Sequence, residues 1–165
     1  MIKQIELEHV ESFWRCLDAV ARERRYLAFI EAPPLHRSRQ YVETGIRQGV
    51  PRYIAVFDGK VVAWCDVVPR AEPGFTHSGA LGMGVLKSRR GQGLGRRIMD
   101  VTISRAWEIG LDRIDLRVYA SNTVAVRLYE RAGFRVEGVQ RRARYLDDTY
   151  DDVMMMALLR NTSAD

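Results

Sequence analysis

Between Leu81 and Gly95 the chain reads L-G-M-G-V-L-K-S-R-R-G-Q-G-L-G, and no other stretch narrows the choice of fold as far. An apolar run turns basic and then sets Gly91, Gly93 and Gly95 at alternate positions, just as a helical pattern opens at Leu94. A strand, a glycine turn and a helix start in that order make an anion cradle. The first N–H groups of a helix lack intrahelical acceptors and stand at the positive end of its dipole. Removing Cβ at alternate residues lets phosphate oxygens approach them closely. Lys87, Arg89, Arg90, Arg96 and Arg97 bring positive charge to the same place. With no anion present they would repel one another, which disfavours a turn that binds nothing.

Two familiar phosphate motifs do not fit. A Walker loop needs Gly-Lys-Ser/Thr, whereas Gly95 is followed by Arg96 and Arg97. A dinucleotide fold needs G-x-G-x-x-G near the start of a βαβ unit with an acid about 20 residues on. Asp112 and Asp115 lie at a suitable distance, but the glycines run G-x-G-x-G and little chain follows them.

What does match is R-x-x-G-x-G, at Arg90, Gly93 and Gly95, and a second block, Ala120-Ser121-Asn122, Ala125, Leu128-Tyr129-Glu130 and Gly133-Phe134. With these two blocks in this order the chain resembles the GNAT superfamily of acetyl-CoA-dependent N-acetyltransferases. The resemblance implies an α/β (α+β) fold, a central mixed, mostly antiparallel sheet of about seven strands flanked by about four helices, with strands 4 and 5 splayed. It implies acetyl-CoA as co-substrate and no metal. The diphosphate would lie on Arg90, Gly91, Gln92, Gly93, Leu94, Gly95 and Arg96, and pantetheine would run past Met83, Val85 and Asn122, with the Val85 N–H a donor to the thioester carbonyl. Tyr129 would stand at the sulfur, and Glu31, in the segment that walls the acceptor site, would meet a substrate ammonium. The C-terminal residues Glu137-Gly138, Arg141, Tyr150-Asp151-Asp152 and Met156 resemble the branch acting on ribosomal and other protein N-termini, polyamines and free amino acids, without choosing among them. Dimers are common in the family, and a homodimer is compatible with this sequence.

Read by their own chemistry, these residues support part of that scheme. Asn122 and Tyr129 are seven residues apart on one helix, so they share a face about 10 Å apart along its axis. A free thiol titrates near ~8.5 and a phenol near ~10, so proton donation from Tyr129 to a departing thiolate is uphill by about 1.5 units. Hydrogen bonding to the sulfur suits Tyr129 better, and filling the core is its plainer role. An alkylammonium with pKa near ~10.4 must lose a proton before it attacks. The family often supplies a glutamate for this, but the matching positions are Gly79 and Arg117. Glu31, Asp66, His77 and Asp115 remain candidates and the base stays unassigned. Its absence keeps open a second reading, a CoA-binding GNAT scaffold without turnover.

Composition sets outer limits. The 165 residues are 47% hydrophobic and 28% charged, which fits one globular acetyltransferase domain over residues 1–160, with 161–165 a frayed tail. No run approaches the roughly 18 uninterrupted apolar residues of a membrane helix, and the first residues lack a signal peptide's apolar block. Two cysteines, Cys16 and Cys65, read as core thiols in a reducing compartment, so the expected setting is cytoplasmic. The net charge of +5 points to an anionic partner. A nucleic-acid-binding module is the rival class, but it should carry a basic stripe with interleaved aromatics, whereas here the charges cluster only at 87–97 and 141–144. The expected partners are therefore a small-molecule or peptide amine, with neither nucleic acid nor membrane.

Periodicity supplies the elements. Met1–Leu7 reads as a strand, and Val10, Phe13, Trp14, Leu17 and Ala21 place a helix over 9–25. Pro33 and Pro34 break a loop over 26–37, after which Ser38 is expected to cap a helix ending near Gly49. Arg52–Phe57 and Lys60–Val68 flank Asp58-Gly59 as a hairpin. Strands over 77–86, 113–119, 134–145 and 150–158 and helices over 94–110 and 122–133 complete the pattern. The last hairpin turns at Asp147-Asp148-Thr149 without the Asp-Gly usual there. Met154, Met155 and Met156 read as packing.

Overall fold

A computed structural model describes residues 1–161; the part of the expected tail at 162–165 lies outside the described residues. Seven strands form a single sheet in the order β1-β2-β3-β4-β5-β7-β6. They are β1 (Ile2–Gln4), β2 (Arg52–Phe57), β3 (Lys60–Pro69), β4 (Ser78–Val85), β5 (Arg113–Tyr119), β6 (Arg135–Leu146) and β7 (Thr149–Leu159). Every pairing is antiparallel except β4 with β5. The helices are α1 (Val10–Ala21), α2 (Leu35–Arg47), α3 (Leu94–Glu108) and α4 (Thr123–Arg131).

Strand alternation divides the core into two layers. Odd positions of β3 and β4, among them Cys65, Val67 and Leu81, pack with Ile98, Met99 and Ile103 of α3, Tyr129 of α4, and Phe134. Trp64 faces the other way and packs with Phe13, Leu17 and Val20 of α1 and Val42 of α2. Its ring meets that of Phe13 edge to face, centroids 5.9 Å apart. Met156 is fully buried, in keeping with a packing role, whereas Met155 is partly exposed on the opposite face of β7.

Three turn and cap details follow from local chemistry. Asp58 and Gly59 both have positive φ, as a two-residue I′ hairpin requires. The β6–β7 hairpin reaches the same geometry without glycine, with Asp147 at φ 52° and Asp148 at φ 55° between the paired Leu146 and Thr149. The second helix starts earlier than its serine suggested. Pro34 occupies the N-cap, where a missing N–H costs nothing, and Ser38 lies buried inside the first turns. Gly133 follows α4 at φ 99°, the left-handed stop expected of it. No helix among the described residues is long and apolar enough to cross a membrane.

Phe134 is 1% exposed and its ring lies 5.8 Å from that of Tyr129. Phe134→Ala should cost about 3–5 kcal/mol through lost contacts and a residual cavity. In urea unfolding this should read as a lower midpoint at unchanged slope.

Candidate active site

The site is built where two neighbouring strands part. β4 pairs with β5 only through Ser78, Gly79 and Ala80, opposite Arg113, Ile114 and Asp115. β3 follows β4 all the way to Val85, and β7 follows β5 to Tyr119. A gap therefore opens after Ala80, each side held by its own partner strand. The Leu86 N–H donates to Val62 O and the Arg70 N–H to Ser78 O, both at 2.9 Å. The alternation of an antiparallel ladder then turns the peptide groups of Met83 and Val85 away from β3 and into the gap. The Val85 carbonyl accepts from Arg90 Nε at 2.8 Å, so the Met83 and Val85 N–H groups remain as donors facing the opening.

Strand β4 runs through a single 3-10 turn, Lys87–Arg89, into the glycine loop. Gly91 (φ 72°) and Gly93 (φ 73°) are both left-handed, and Gly93 is the N-cap of α3. Nothing lies within 4 Å of where either Cβ would stand, so these glycines serve backbone conformation and leave open space above the loop. Gly95 sits in the first turn, its missing Cβ in ordinary contact range of Met83, Leu128 and Val85. Among the described residues, no N–H from Gly91 to Arg96 finds an acceptor; the first to do so is Arg97, onto Gly93 O at 3.2 Å. Such a row of unpaired donors at a helix start fits a diphosphate.

Charge at the loop is distributed differently from the simple cluster in the sequence. The Arg90 guanidinium turns away and makes two bonds to Glu23, at 2.8 and 2.5 Å, with its Tyr26 contact centred 4.7 Å away. Arg96 holds Asp100 and the Arg131 carbonyl, and Arg89 lies over the Phe57 ring. Among the described residues, Lys87 and Arg97 have no carboxylate in ion-pair range, so these two cations are available to an anion.

On the far side of the gap, Asn122 caps α4 by accepting from the Ala125 N–H at 3.2 Å, which leaves its amide NH2 as donor. Tyr129 is 8% exposed, and burial raises its phenol pKa well above the ordinary value, with a smaller contribution from Cys65. It is therefore neutral and a hydrogen-bond donor, and a poorer acid than an exposed tyrosine. Its hydroxyl has no protein partner among the described residues. No buried side-chain polar atom among the described residues is left unsatisfied, so that oxygen keeps contact with solvent.

The candidate bases are placed as follows. Glu31 is exposed, 3.5 Å from Arg22. Asp115 pairs with Arg70 at 2.8 Å, and His77 lies exposed before β4, its carbonyl accepting from Asp112. Asp66 is 4% exposed, held by Arg52 Nε at 2.9 Å and the Tyr41 hydroxyl at 2.7 Å. The glutamate position at Gly79 is closed on steric grounds: a Cβ there would lie 2.7 Å from Val67 Cγ1 and 3.0 Å from Leu111 Cδ1. Arg117 points outward and donates to Gln140.

What holds the segment between α1 and α2 in place was not legible in the sequence. Residues 22–34, between α1 and α2, are tied to the β6–β7 hairpin by Arg24, which bonds both oxygens of Asp147, and by Arg144, which donates to the Arg24 carbonyl at 2.6 Å. Glu23 and Arg24, adjacent in sequence, thus anchor one loop to the anion cradle and to the last hairpin. Pairings across sequence separations of 67 and 123 residues leave no local signal.

Two measurements check this geometry. Glu23→Gln should cost about 1 kcal/mol, because the pair is partly exposed, and should speed amide exchange in both 22–34 and 87–93. Burial pushes the Cys16 thiol up to about 12, against a smaller opposing pull from Arg90, and pushes the fully buried Cys65 thiol higher still. At pH 8 both are thiols, so a disulfide reagent should react with neither until denaturant is added.

Comparison with known proteins agrees with the fold. The sequence model of the acetyltransferase (GNAT) family matches residues 11–134. The L-amino acid N-acetyltransferase AaaT of Escherichia coli (strain K12) is 27% identical over 116 residues, 69% of this chain and 71% of that protein. Several other relatives, including mycothiol acetyltransferases, are matched over less than half of their own length. The crystal structure of ribosomal-protein-alanine N-acetyltransferase from Brucella melitensis superposes with a TM-score of 0.90 at 22% identity, covering 97% of this chain and 99% of that one. The structure of yncA from Salmonella typhimurium with its cofactor acetyl-CoA gives 0.91 at 17% identity, covering 99% of this chain and 96% of that one. With splayed strands, a glycine loop at a helix start and a family match over most of its length, this chain belongs to the GNAT family and is an acetyl-CoA-dependent acyltransferase.

Proposed function

We propose that the protein transfers the acetyl group of acetyl-CoA directly to a primary amine, both substrates being bound together. The observation that carries this is the gap: β4 leaves β5 after Ala80, offers the Met83 and Val85 donors, and continues into a row of unbonded N–H groups at the start of α3. A diphosphate fits that row, with Lys87 and Arg97 to neutralise it. The amide-bearing pantetheine arm fits the free edge and the Asn122 amide. Acetyl-CoA held there supplies an activated acyl group on a thiol leaving group. The residues around it have separate tasks. Met83 and Val85 N–H groups polarise a carbonyl at the free edge, and fixed donors of this kind stabilise developing negative charge without reorganising. The neutral Tyr129 hydroxyl donates to the departing sulfur. Arg90 and Glu23 keep the loop and the acceptor wall in register, as positioning residues.

The relatives named above act on L-amino acids and on alanine of a ribosomal protein. An α-amine is accordingly the acceptor class to try first, with a polyamine beside it. The setting that best suits two free, buried thiols is a reducing one such as the cytoplasm.

One observation favours a second reading, a CoA-binding scaffold without turnover: Gly79 leaves no room for the family's carboxylate, and Arg117 replaces the other. Thiol release from acetyl-CoA with L-phenylalanine, an alanine-first hexapeptide and spermidine separates the two. Release with at least one amine is expected; CoA binding with no release from any would select the scaffold.

Two substitutions test the parts. Gly93→Asp puts a side chain on a left-handed residue and a negative charge at the phosphate row, and should abolish CoA binding by calorimetry. Tyr129→Phe should lower kcat about tenfold, the effect of one hydrogen bond to a developing anion, at unchanged CoA affinity. An unchanged kcat would remove Tyr129 from the chemistry.

A further inference from the structure

Since α3 and α4 pack on one face of the sheet, an acceptor has room beside the free edge of β4 on the other, where Tyr26, Leu27 and Ala32 of the 22–34 segment pack with the α1 layer. Even-numbered positions of β4 form that face: a Cβ at Gly84 would run into Trp64, which belongs to the α1 layer, and a Cβ at Gly82 would stand 3.1 Å from Asp66 Oδ1. Gly82 directly precedes Met83, the first donor of the gap. Asp66, across from Gly82 in the β3–β4 register, is therefore a carboxylate beside the free edge on that face; Asp115, at the fork opposite Ala80, faces the same way but is taken up by Arg70 at 2.8 Å.

The two oxygens of Asp66 differ. Oδ2 accepts from Arg52 Nε at 2.9 Å and from the Tyr41 hydroxyl at 2.7 Å. Oδ1 has no partner among the described residues, although the residue is only 4% exposed. Because, among the described residues, no polar side-chain atom is both fully enclosed and unpartnered, Oδ1 must retain an opening, and the missing Cβ of Gly82 provides one. Arg52, itself 2% exposed, holds the carboxylate in place, with its own Nη1 on the Tyr41 carbonyl at 3.0 Å. Gly45 completes the mount, since a Cβ there would overlap the Arg52 guanidinium. A structural ion pair needs no unused acceptor beside the reaction gap.

An amine of ordinary basicity reaches neutral solution as an ammonium cation. The chain carries a net charge of +5, and the carboxylates of the neighbouring wall are already paired, Asp18 and Glu31 with Arg22, Glu23 with Arg90 and Asp147 with Arg24. A cation entering there needs a local anion. We infer, on the basis of the acetyl-transfer reading above, that Asp66 Oδ1 is the acceptor-binding group: it takes a charge-assisted hydrogen bond from the arriving ammonium and sets its nitrogen beside the β4 edge, where the ammonium gives one proton to solvent before its lone pair attacks the thioester. The Arg52–Asp66–Tyr41 cluster thus determines specificity for cationic amines, and the glycine at 82 keeps its free oxygen accessible.

The test uses the full chain at saturating acetyl-CoA with L-phenylalanine, an alanine-first hexapeptide and spermidine as probes, and follows thiol release. With whichever probe the wild type acetylates best, Asp66→Asn should raise the amine KM about tenfold to a hundredfold, the range for a hydrogen bond to a charged group. CoA affinity should stay within twofold. Asp66→Asn also strands Arg52 and can unfold the chain, so Gly82→Ala is the second variant. It keeps the Arg52, Asp66 and Tyr41 side chains, covers Oδ1 and asks that oxygen to give by only a few tenths of an ångström, and should likewise raise the amine KM while the melting temperature and CoA affinity hold. An unchanged amine KM in Gly82→Ala overturns the assignment while leaving the acetyl-transfer reading intact. A parallel loss of CoA affinity overturns it too, by placing the effect on the β4 backbone. A wild type that acetylates none of the three amines removes the acetyl-transfer reading and this inference with it.

Discussion

Everything this molecule offers a ligand depends on β4 losing its parallel neighbour after Ala80. Peptide groups are obligatory hydrogen-bonding groups, and leaving several unpaired along an inner strand is costly unless water or a ligand takes them up. The sheet tolerates it because each side of the opening is braced: β3 pairs with β4 to Val85, and β7 pairs with β5 to Tyr119. The cleft is a property of sheet topology, and it needs no mobile segment to create it. The glycine loop continues the same logic, since its left-handed residues present bare N–H groups with open space in front of them.

A second principle governs the charges. Most arginines near the cleft are committed to protein partners, and Arg90 shows why that matters. Its guanidinium binds the Val85 carbonyl and both Glu23 oxygens, so the cation that looks most like a phosphate ligand in the sequence is a brace between the end of β4 and the end of α1. Hydrogen bonding to Glu23 raises its pKa further, against the opposing effect of burial, so its charge persists at any working pH. Arg24 makes the corresponding tie to Asp147. The loop over 22–34 is thus fixed at one end by electrostatics rather than by an apolar core of its own.

The sequence disclosed what depends on local chemistry. Alternation, the Asp58-Gly59 turn, the Asn122 cap and the glycines after β4 all act within a few residues, and the elements they foretell are present. The start of α2 was misread because Ser38 has the chemistry of a cap, yet its hydroxyl is buried within the helix and Pro34 takes the cap position. The C-terminal turn was legible only in place, because two aspartates adopting left-handed geometry is a rarer outcome than Asp-Gly. Invisible altogether were the Glu23–Arg90 and Arg24–Asp147 ties and the distinction between the two oxygens of Asp66. Each joins residues whose proximity exists only after the sheet has formed.

The outermost strand carries a consequence of another kind. β6 spans Arg135–Leu146 with one side unpaired by any other strand, the circumstance in which sheets recruit foreign chains. Its pairing with β7 is interrupted twice, between Val136 and Gly138 and between Gln140 and Arg144, and Arg142 sits in a left-handed kink at the second break. Four arginines, at 135, 141, 142 and 144, are strung along it. Broken register and a row of like charges deny an incoming strand a straight template, which disfavours edge-to-edge extension of the sheet.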